Sequence, residues 1–284
     1  MGAAAAYLHI RPVPQLPGFA ARVDGLDFSA PLSAEVKAEL HRALNQFGLL
    51  TIEPHTLTPA QHIDLASAFG DIAPGAFFPR LPGHDEVEVI RSDREHPPEL
   101  NVWHSDVTWR RDFPTGTVIQ LIELPESGGN TAWACGRKAF QALSEGMKTY
   151  LRGLHATHSW TGSLVEDALR ASGEEAMVNA VRRFQPVSHP LVRRHPETGD
   201  EVLFANEAFT RRIDGVPMRE SRAMLEFLRE WMVQPEFVYS HRWRAGALAV
   251  WDNRSTQHHA AADYWPQTRL LHRVTFRSQA ESAA

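Results

Sequence analysis

Apolar residues recur first at helical spacing and then, past residue 70, as short runs broken by turn residues. Residues 7–13 and 19–23 read as short strands. They precede a helix that starts near Ser33, a suitable N-cap, and runs to Phe47, where Gly48 stops it. Residues 49–53 are a short apolar run suited to a buried strand. A second helix opens at Thr58-Pro59-Ala60-Gln61 and ends near Phe69-Gly70. In it Thr58 can cap, Pro59 has no N–H to leave unpaired, and Gln61 can close a capping box. Further strands are expected at 87–90, 118–124, 130–134, 154–159, 202–205, 237–240, 247–251 and 271–276. Between them lie turn signals such as 125–129, 196–200 and Ala245-Gly246. Two helices interrupt the series: a polar one at about 163–183, and one at 219–233 that puts Met224, Leu228, Trp231 and Met232 on one face. Many short strands behind helices predict a mainly β protein with helical decoration, α+β overall: a double-sheeted sandwich or jelly roll. No internal repeat or low-complexity linker divides the chain, so one domain is expected over 1–284, with a polar helical insert at about 160–187.

Composition narrows the function classes. An apolar fraction of 43% and a charged fraction of 22% are those of a globular protein with ample core. A net charge of −5 lacks the basic footprint of a nucleic-acid binder. No uninterrupted apolar stretch reaches the roughly 18 residues that a membrane span needs. The alanine-rich start lacks the basic and apolar regions of a secretory signal, and Ala6 stands where myristoylation wants Ser or Thr. Cys135 is the single cysteine, so no intrachain disulfide can form, and a reducing, cytoplasmic location fits.

The chemistry concentrates in Trp103-His104-Ser105-Asp106-Val107-Thr108. In an extended chain, residues two apart face the same way, so His104 and Asp106 would present an imidazole and a carboxylate side by side. A third ligand must come from elsewhere, and His258 in Trp251-Asp252-Asn253-Arg254-Ser255-Thr256-Gln257-His258 is the candidate. Two histidines and one carboxylate on one face of an iron leave three positions open. Taken alone, His-x-Asp is a weak motif in a chain with 15 histidines.

Its context is specific. The segment above, then Leu124-Pro125-Glu126-Ser127-Gly128-Gly129-Asn130-Thr131, then Trp251 to His258, then Leu271-His272-Arg273 resemble the taurine dioxygenase family in order and spacing, from about residue 12 to 276. The resemblance implies a double-stranded β-helix, a form of jelly roll. It implies iron(II) held by His104, Asp106 and His258, with 2-oxoglutarate and O2 as co-substrates. By the same resemblance, Arg269, eleven residues after the distal histidine, and Thr131 bind the far carboxylate of 2-oxoglutarate, and Arg273 binds the acid group of the substrate. The intact Asp106 argues for hydroxylation, because related halogenases replace that carboxylate. The implied reaction hydroxylates a C–H bond of a small organic anion, a sulfonate, alkyl sulfate or aryloxyalkanoate, and turns 2-oxoglutarate into succinate and CO2. A homo-oligomer, dimer or tetramer, is implied by the family alone.

The sequence departs from taurine-cleaving members around the substrate. Gly75 and Phe78 stand where those members carry a His and a Tyr, and Leu100 stands for an Asn four residues before the first ligand. Phe77, Phe78, Leu100, Val107, Trp109 and Phe209 are therefore expected to line a larger, more apolar pocket than taurine requires. Three rival readings remain: taurine dioxygenase proper, a non-redox zinc hydrolase or isomerase, since histidines also suit zinc, and a ligand-binding module without chemistry.

Overall fold

The computed structural model describes residues 6–73, 75, 78–98, 101–171 and 173–278, with the backbone alone at 164, 168 and 171. A nine-stranded sheet forms the frame. Its order is Arg11–Leu16, Phe19–Asp24, Leu49–Ile52, Leu248–Asp252, Gly116–Glu123, Arg269–Arg277, His84–Ser92 and Arg80–Leu81, with Asp71–Ile72 joining Arg269–Arg277 off this path. Among the described strands of this sheet, Phe19–Asp24 and Leu49–Ile52 make the one parallel pair.

Both faces of this sheet are covered, which explains why its central strands read as near-continuous apolar runs. Leu50, Val118, Leu248, Val250, Val274 and Phe276 face a core closed by helices Ala34–Phe47 and Pro59–Ala66. The alternate residues Leu49, Ile119, Leu121, Ala249, Trp251 and Leu271 face a second core with Trp133 and Trp243. Trp133 belongs to a three-stranded sheet, Val238–His241, Thr131–Cys135 and Thr256–Ala260. Two sheets enclosing an inner core, with helices outside, are the expected helix-decorated jelly roll. The strand period places Arg269 and Arg273 on the inner face with Leu271.

The helix starts follow the sequence closely. Ser33 accepts from the Val36 N–H, Gly48 ends the first helix at φ +70°, and Thr58 and Gln61 form the reciprocal capping box. The second helix ends at Ala66, short of the expected 69–70. The polar insert is two helices, Leu164–Ala171 and Glu174–Arg183, with Gly173 at φ +102° between them. The helix expected at 219–233 spans Met218–Met232. Strands Thr256–Ala260, Thr210–Ile213 and Val187–Pro190 were not anticipated, because their polar sequences carry no period-two apolar signal.

One polar hub ties the turn at 195–200 to the frame. Glu197 accepts from Asn45 Nδ2 (2.9 Å), Arg254 Nη1 (2.7 Å), Ser278 Oγ (2.6 Å) and the His41 ring. Arg254 also grips the buried Asp252 carboxylate at 2.7 and 2.9 Å, which takes a further bond from His195 Nε2 at 2.8 Å. Burial would raise the pKa of Glu197, but its partners, led by His41 and Ser278, hold it well below the usual carboxylate range. A carboxylate with a depressed folded-state pKa contributes stability above its unfolded pKa of about 4.3, and that contribution is lost as pH falls. Glu197→Gln should therefore destabilise the fold by about 2–3 kcal/mol near pH 6. The gap to wild type should close as pH drops below about 4, as denaturant melts across pH will register.

Candidate active site

The candidate ligands are brought together by a backbone pairing rather than by one strand. His104 donates its N–H to the His258 carbonyl at 3.0 Å, and His258 donates back to the His104 carbonyl at 2.7 Å. This isolated bridge fixes the two imidazoles 4.1 Å apart, centre to centre. Within His104-Ser105-Asp106 only His104 pairs as a strand residue, and a turn begins at Asp106. Val107 takes φ +59°, a strained conformation for a β-branched residue.

His104 Nε2 and His258 Nε2 each lie 3.8 Å from Asp106 Oδ1, too far for hydrogen bonds. The three ligand atoms lie within 4.8 Å of one another, and all three residues are buried. His104 and Asp106 are held with a donor atom free, whereas His258 Nδ1 is buried without a hydrogen-bond partner. His104 Nδ1 bonds the Val102 carbonyl at 2.7 Å, which leaves Nε2 as the lone pair. Thr117 Oγ1 donates to Asp106 Oδ2 at 2.9 Å, so Oδ1 is the oxygen that meets the imidazoles. Asn253 Oδ1 accepts from the Asp106 N–H (3.3 Å) and from Trp251 Nε1 (3.0 Å). Burial would raise the Asp106 pKa, but His258, Arg273 and His104 bring it down to about 2. Burial and the neighbouring His104 lower His258 to about 3, and burial also lowers His104. One carboxylate and two neutral imidazoles converging without hydrogen bonds among themselves are a donor set suited to a divalent cation.

Arg269 is 6% exposed and donates through Nη2 to Thr131 Oγ1 at 3.2 Å; Thr131 also accepts from Trp243 Nε1 at 3.0 Å. The Arg269 Nε is buried without a hydrogen-bond partner, and its charge meets Tyr264 rather than a carboxylate among the described residues. The Tyr264 ring lies 5.8 Å from the guanidinium carbon. A buried cation without an anion is costly, and this pair offers an incoming carboxylate a guanidinium and a hydroxyl.

Arg273 Nη1 lies 3.8 Å from Asp106 Oδ1, beside the triad. Its Nε and Nη2 are engaged by the buried Glu88, at 2.7 and 2.6 Å to Oε2, so the guanidinium expected to bind the substrate acid is partly occupied. Phe78 stacks 4.7 Å from the Arg273 guanidinium carbon, and Phe209 sits edge-on to His104 with centroids 6.5 Å apart. Val107 and Phe209 share an apolar cluster with Trp109, Trp160, Val165, Leu169, Met177 and Phe184, so the insert helices roof this side. Trp109 is a core residue there, packed on Phe184 at 4.8 Å. Leu100 and Phe77 lie outside the described residues. Trp103 and Gln257, each one residue before a ligand and facing the other way, line a cavity of about 610 Å³ that includes neither imidazole. Sequence reasoning missed Glu88, Thr117, Asn253 and Trp243. Asn253 stood inside a quoted motif, whereas Thr117 and Glu88 lie in ordinary strand sequence.

The chain resembles known proteins along most of its length. It is 28% identical over 268 residues to an alkylsulfatase of Acinetobacter baylyi, covering 93% of this chain and 84% of that protein. It is 30% identical over 288 residues to an alpha-ketoglutarate-dependent 2,4-dichlorophenoxyacetate dioxygenase of a Burkholderia species, covering 95% and 92%. A Schizosaccharomyces pombe relative is 35% identical over 202 residues, which cover 68% of this chain and half of that longer protein. Among solved structures, a taurine dioxygenase from Burkholderia xenovorans superposes with a TM-score of 0.81 at 30% identity, over 96% of this chain and 92% of that one. The structure of AAD-2 in complex with Mn(II) and N-oxalylglycine superposes with a TM-score of 0.79 at 25% identity, over 96% and 98%. The family model "Taurine catabolism dioxygenase TauD, TfdA family" matches residues 9–275, and the chain belongs to that family.

Proposed function

We propose that the chain is an iron(II)- and 2-oxoglutarate-dependent dioxygenase that hydroxylates a C–H bond of a small organic anion. The observation that carries this reading is the buried His104–Asp106–His258 set, whose three donor atoms converge without hydrogen bonds among themselves. His104, Asp106 and His258 would hold the metal. Iron(II) bound there would supply the reduction of O2 coupled to decarboxylation of 2-oxoglutarate. Overall, R–H, O2 and 2-oxoglutarate give R–OH, succinate and CO2.

The protein's own groups perform the rest. Thr117 and Asn253 orient Asp106, and the Val102 carbonyl fixes the His104 tautomer. Arg269 and Thr131 receive the far carboxylate of 2-oxoglutarate, which would give the buried guanidinium its missing anion. Arg273 meets the acid group of the substrate, and Phe78, Phe209 and Val107 offer apolar surface that excludes water. Sulfonates, alkyl sulfates and aryloxyalkanoates fit this pairing of one cation with apolar walls. Taurine fits less well, since Gly75 and Phe78 provide no polar side-chain contact. A cytoplasmic location, which the single buried thiol of Cys135 suits, and the homo-oligomeric state implied by the resemblance complete the reading.

Burial lowers both imidazoles, His258 to about 3, and Asp106 is held at about 2, so protons compete less for this donor set than for free imidazoles. Calorimetric Mn(II) affinity should lose less between pH 7 and 6 than ordinary imidazoles near 6.5 would lose, and should fall as pH approaches 3. Arg269→Lys keeps the charge but loses the fork, so KM for 2-oxoglutarate should rise about tenfold with little change in substrate KM. An unchanged 2-oxoglutarate KM rejects that assignment. Succinate release should be higher for hexyl sulfonate or an aryloxy acid than for taurine, by about tenfold or more in kcat/KM, given roughly 25 cal/mol per Å² of apolar area buried. A clear preference for taurine contradicts the pocket reading, and no succinate with any anion points instead to a metal hydrolase or a binding module.

A further inference from the structure

We propose that Glu88 is a positioning residue that sets the charge of the substrate's acid group, restricting the site to monoanions. This rests on the assignment of Arg273 as the substrate cation. Arg273 and Glu88 are directly opposite residues on neighbouring antiparallel strands, Arg269–Arg277 and His84–Ser92, both turned to the inner face. Glu88 is 1% exposed, and its Oε2 takes both Nε and Nη2 of Arg273 at 2.7 and 2.6 Å. One edge of the guanidinium is therefore committed, and Phe78 covers a face. Nη1, 3.8 Å from Asp106 Oδ1, is the nitrogen directed toward the candidate metal ligands.

Room for the carboxylate comes from Gly75. A Cβ at that position would lie 2.3 Å from Glu88 Oε1, so any side chain there would collide with the acid. Arg80 approaches from the other side, its Nη1 3.4 Å from Glu88 Oε1, and it also bonds the Gly75 carbonyl. Summed, Arg273, Arg80 and Glu88 carry one positive charge. That balances a sulfonate, a sulfate monoester or a carboxylate, and leaves half of a dianion's charge unmatched in a buried setting. A substrate acid also meets a guanidinium whose Nε–Nη2 edge is already occupied, so only the Nη1 end is left to it.

The test compares hexylsulfonate with hexylphosphonate, which share size and tetrahedral shape but carry about one and two negative charges near pH 9, above the second ionisation of the phosphonate. Affinities are measured anaerobically, by calorimetry, on the protein loaded with iron(II) and 2-oxoglutarate. Wild type should bind the sulfonate more tightly. Glu88→Gln, isosteric but uncharged, should shrink the sulfonate-to-phosphonate ratio about tenfold, mainly by improving the phosphonate. Glu88→Asp, which keeps the charge, should retain the preference. A merely structural role would weaken both ligands equally and leave the ratio unchanged, and that result overturns the proposal. Equal binding of the two ligands by wild type overturns it without any variant, should Glu88→Gln not fold. Failure of the wider functional reading is recognised separately, as wild-type protein that releases no succinate from 2-oxoglutarate, since the charge ratio is read from binding alone.

Discussion

The reciprocal pair of backbone hydrogen bonds between His104 and His258 is the constraint on which the site depends. These two residues are far apart in the chain, and the bridge, reinforced by Ser105 Oγ donating to the Thr256 carbonyl at 2.6 Å, holds their imidazoles 4.1 Å apart. The bridge extends the small sheet by one residue, because His258 also pairs with Trp133 on its other side. His104 thus borrows the rigidity of a strand while the chain after Asp106 is free to turn. The turn has a cost, taken up in Val107 at φ +59°, and it lets Asp106 approach both histidines. The hub around Glu197 and Arg254 supports the same region from behind, since Arg254 and Asp252 lie just upstream of His258.

Buried charge is the second organising feature. Two carboxylates, Asp252 and Glu88, sit at 1% exposure and are each gripped by an arginine. Asp106 is held by Thr117 and faces two neutral imidazoles. Arg269 is the buried arginine of the inner face that meets no carboxylate among the described residues. Interiors tolerate such a group only when a partner arrives, and the proposed partner is the co-substrate. On this view one strand, Arg269–Arg277, presents two cations with different tasks. One lacks a protein counterion and would take the co-substrate; the other is partly neutralised and would take the substrate.

Much of this was legible in the sequence where a residue type has one dominant physical use. Ser33, Gly48 and the Thr58–Gln61 box mark helix ends because few other conformations satisfy the first and last backbone groups. The apolar runs at 118–124 and 247–251 became central strands because both of their faces are buried. The candidate ligand trio was legible through motif spacing, although the strand carrying His258 was not, since Thr256–Ala260 is polar and its pairing is set by long-range contacts. The apolar roof over the site was hidden for another reason. The insert as a whole is polar, and only its fold reveals that Val165, Leu169 and Met177 share one side. Glu88 was invisible because a lone glutamate in a strand reads as a solvent-facing charge until its cross-strand partner is known.

The most direct test of the central claim is a crystal structure of the protein grown without oxygen, with Mn(II) and N-oxalylglycine in place of iron and 2-oxoglutarate. The account predicts an anomalous metal peak within roughly 2.0–2.3 Å of His104 Nε2, His258 Nε2 and Asp106 Oδ1. It also predicts that the far carboxylate of the analogue lies against the guanidinium of Arg269 and the hydroxyl of Thr131. A metal bound elsewhere, or an analogue whose far carboxylate bypasses Arg269, would contradict it.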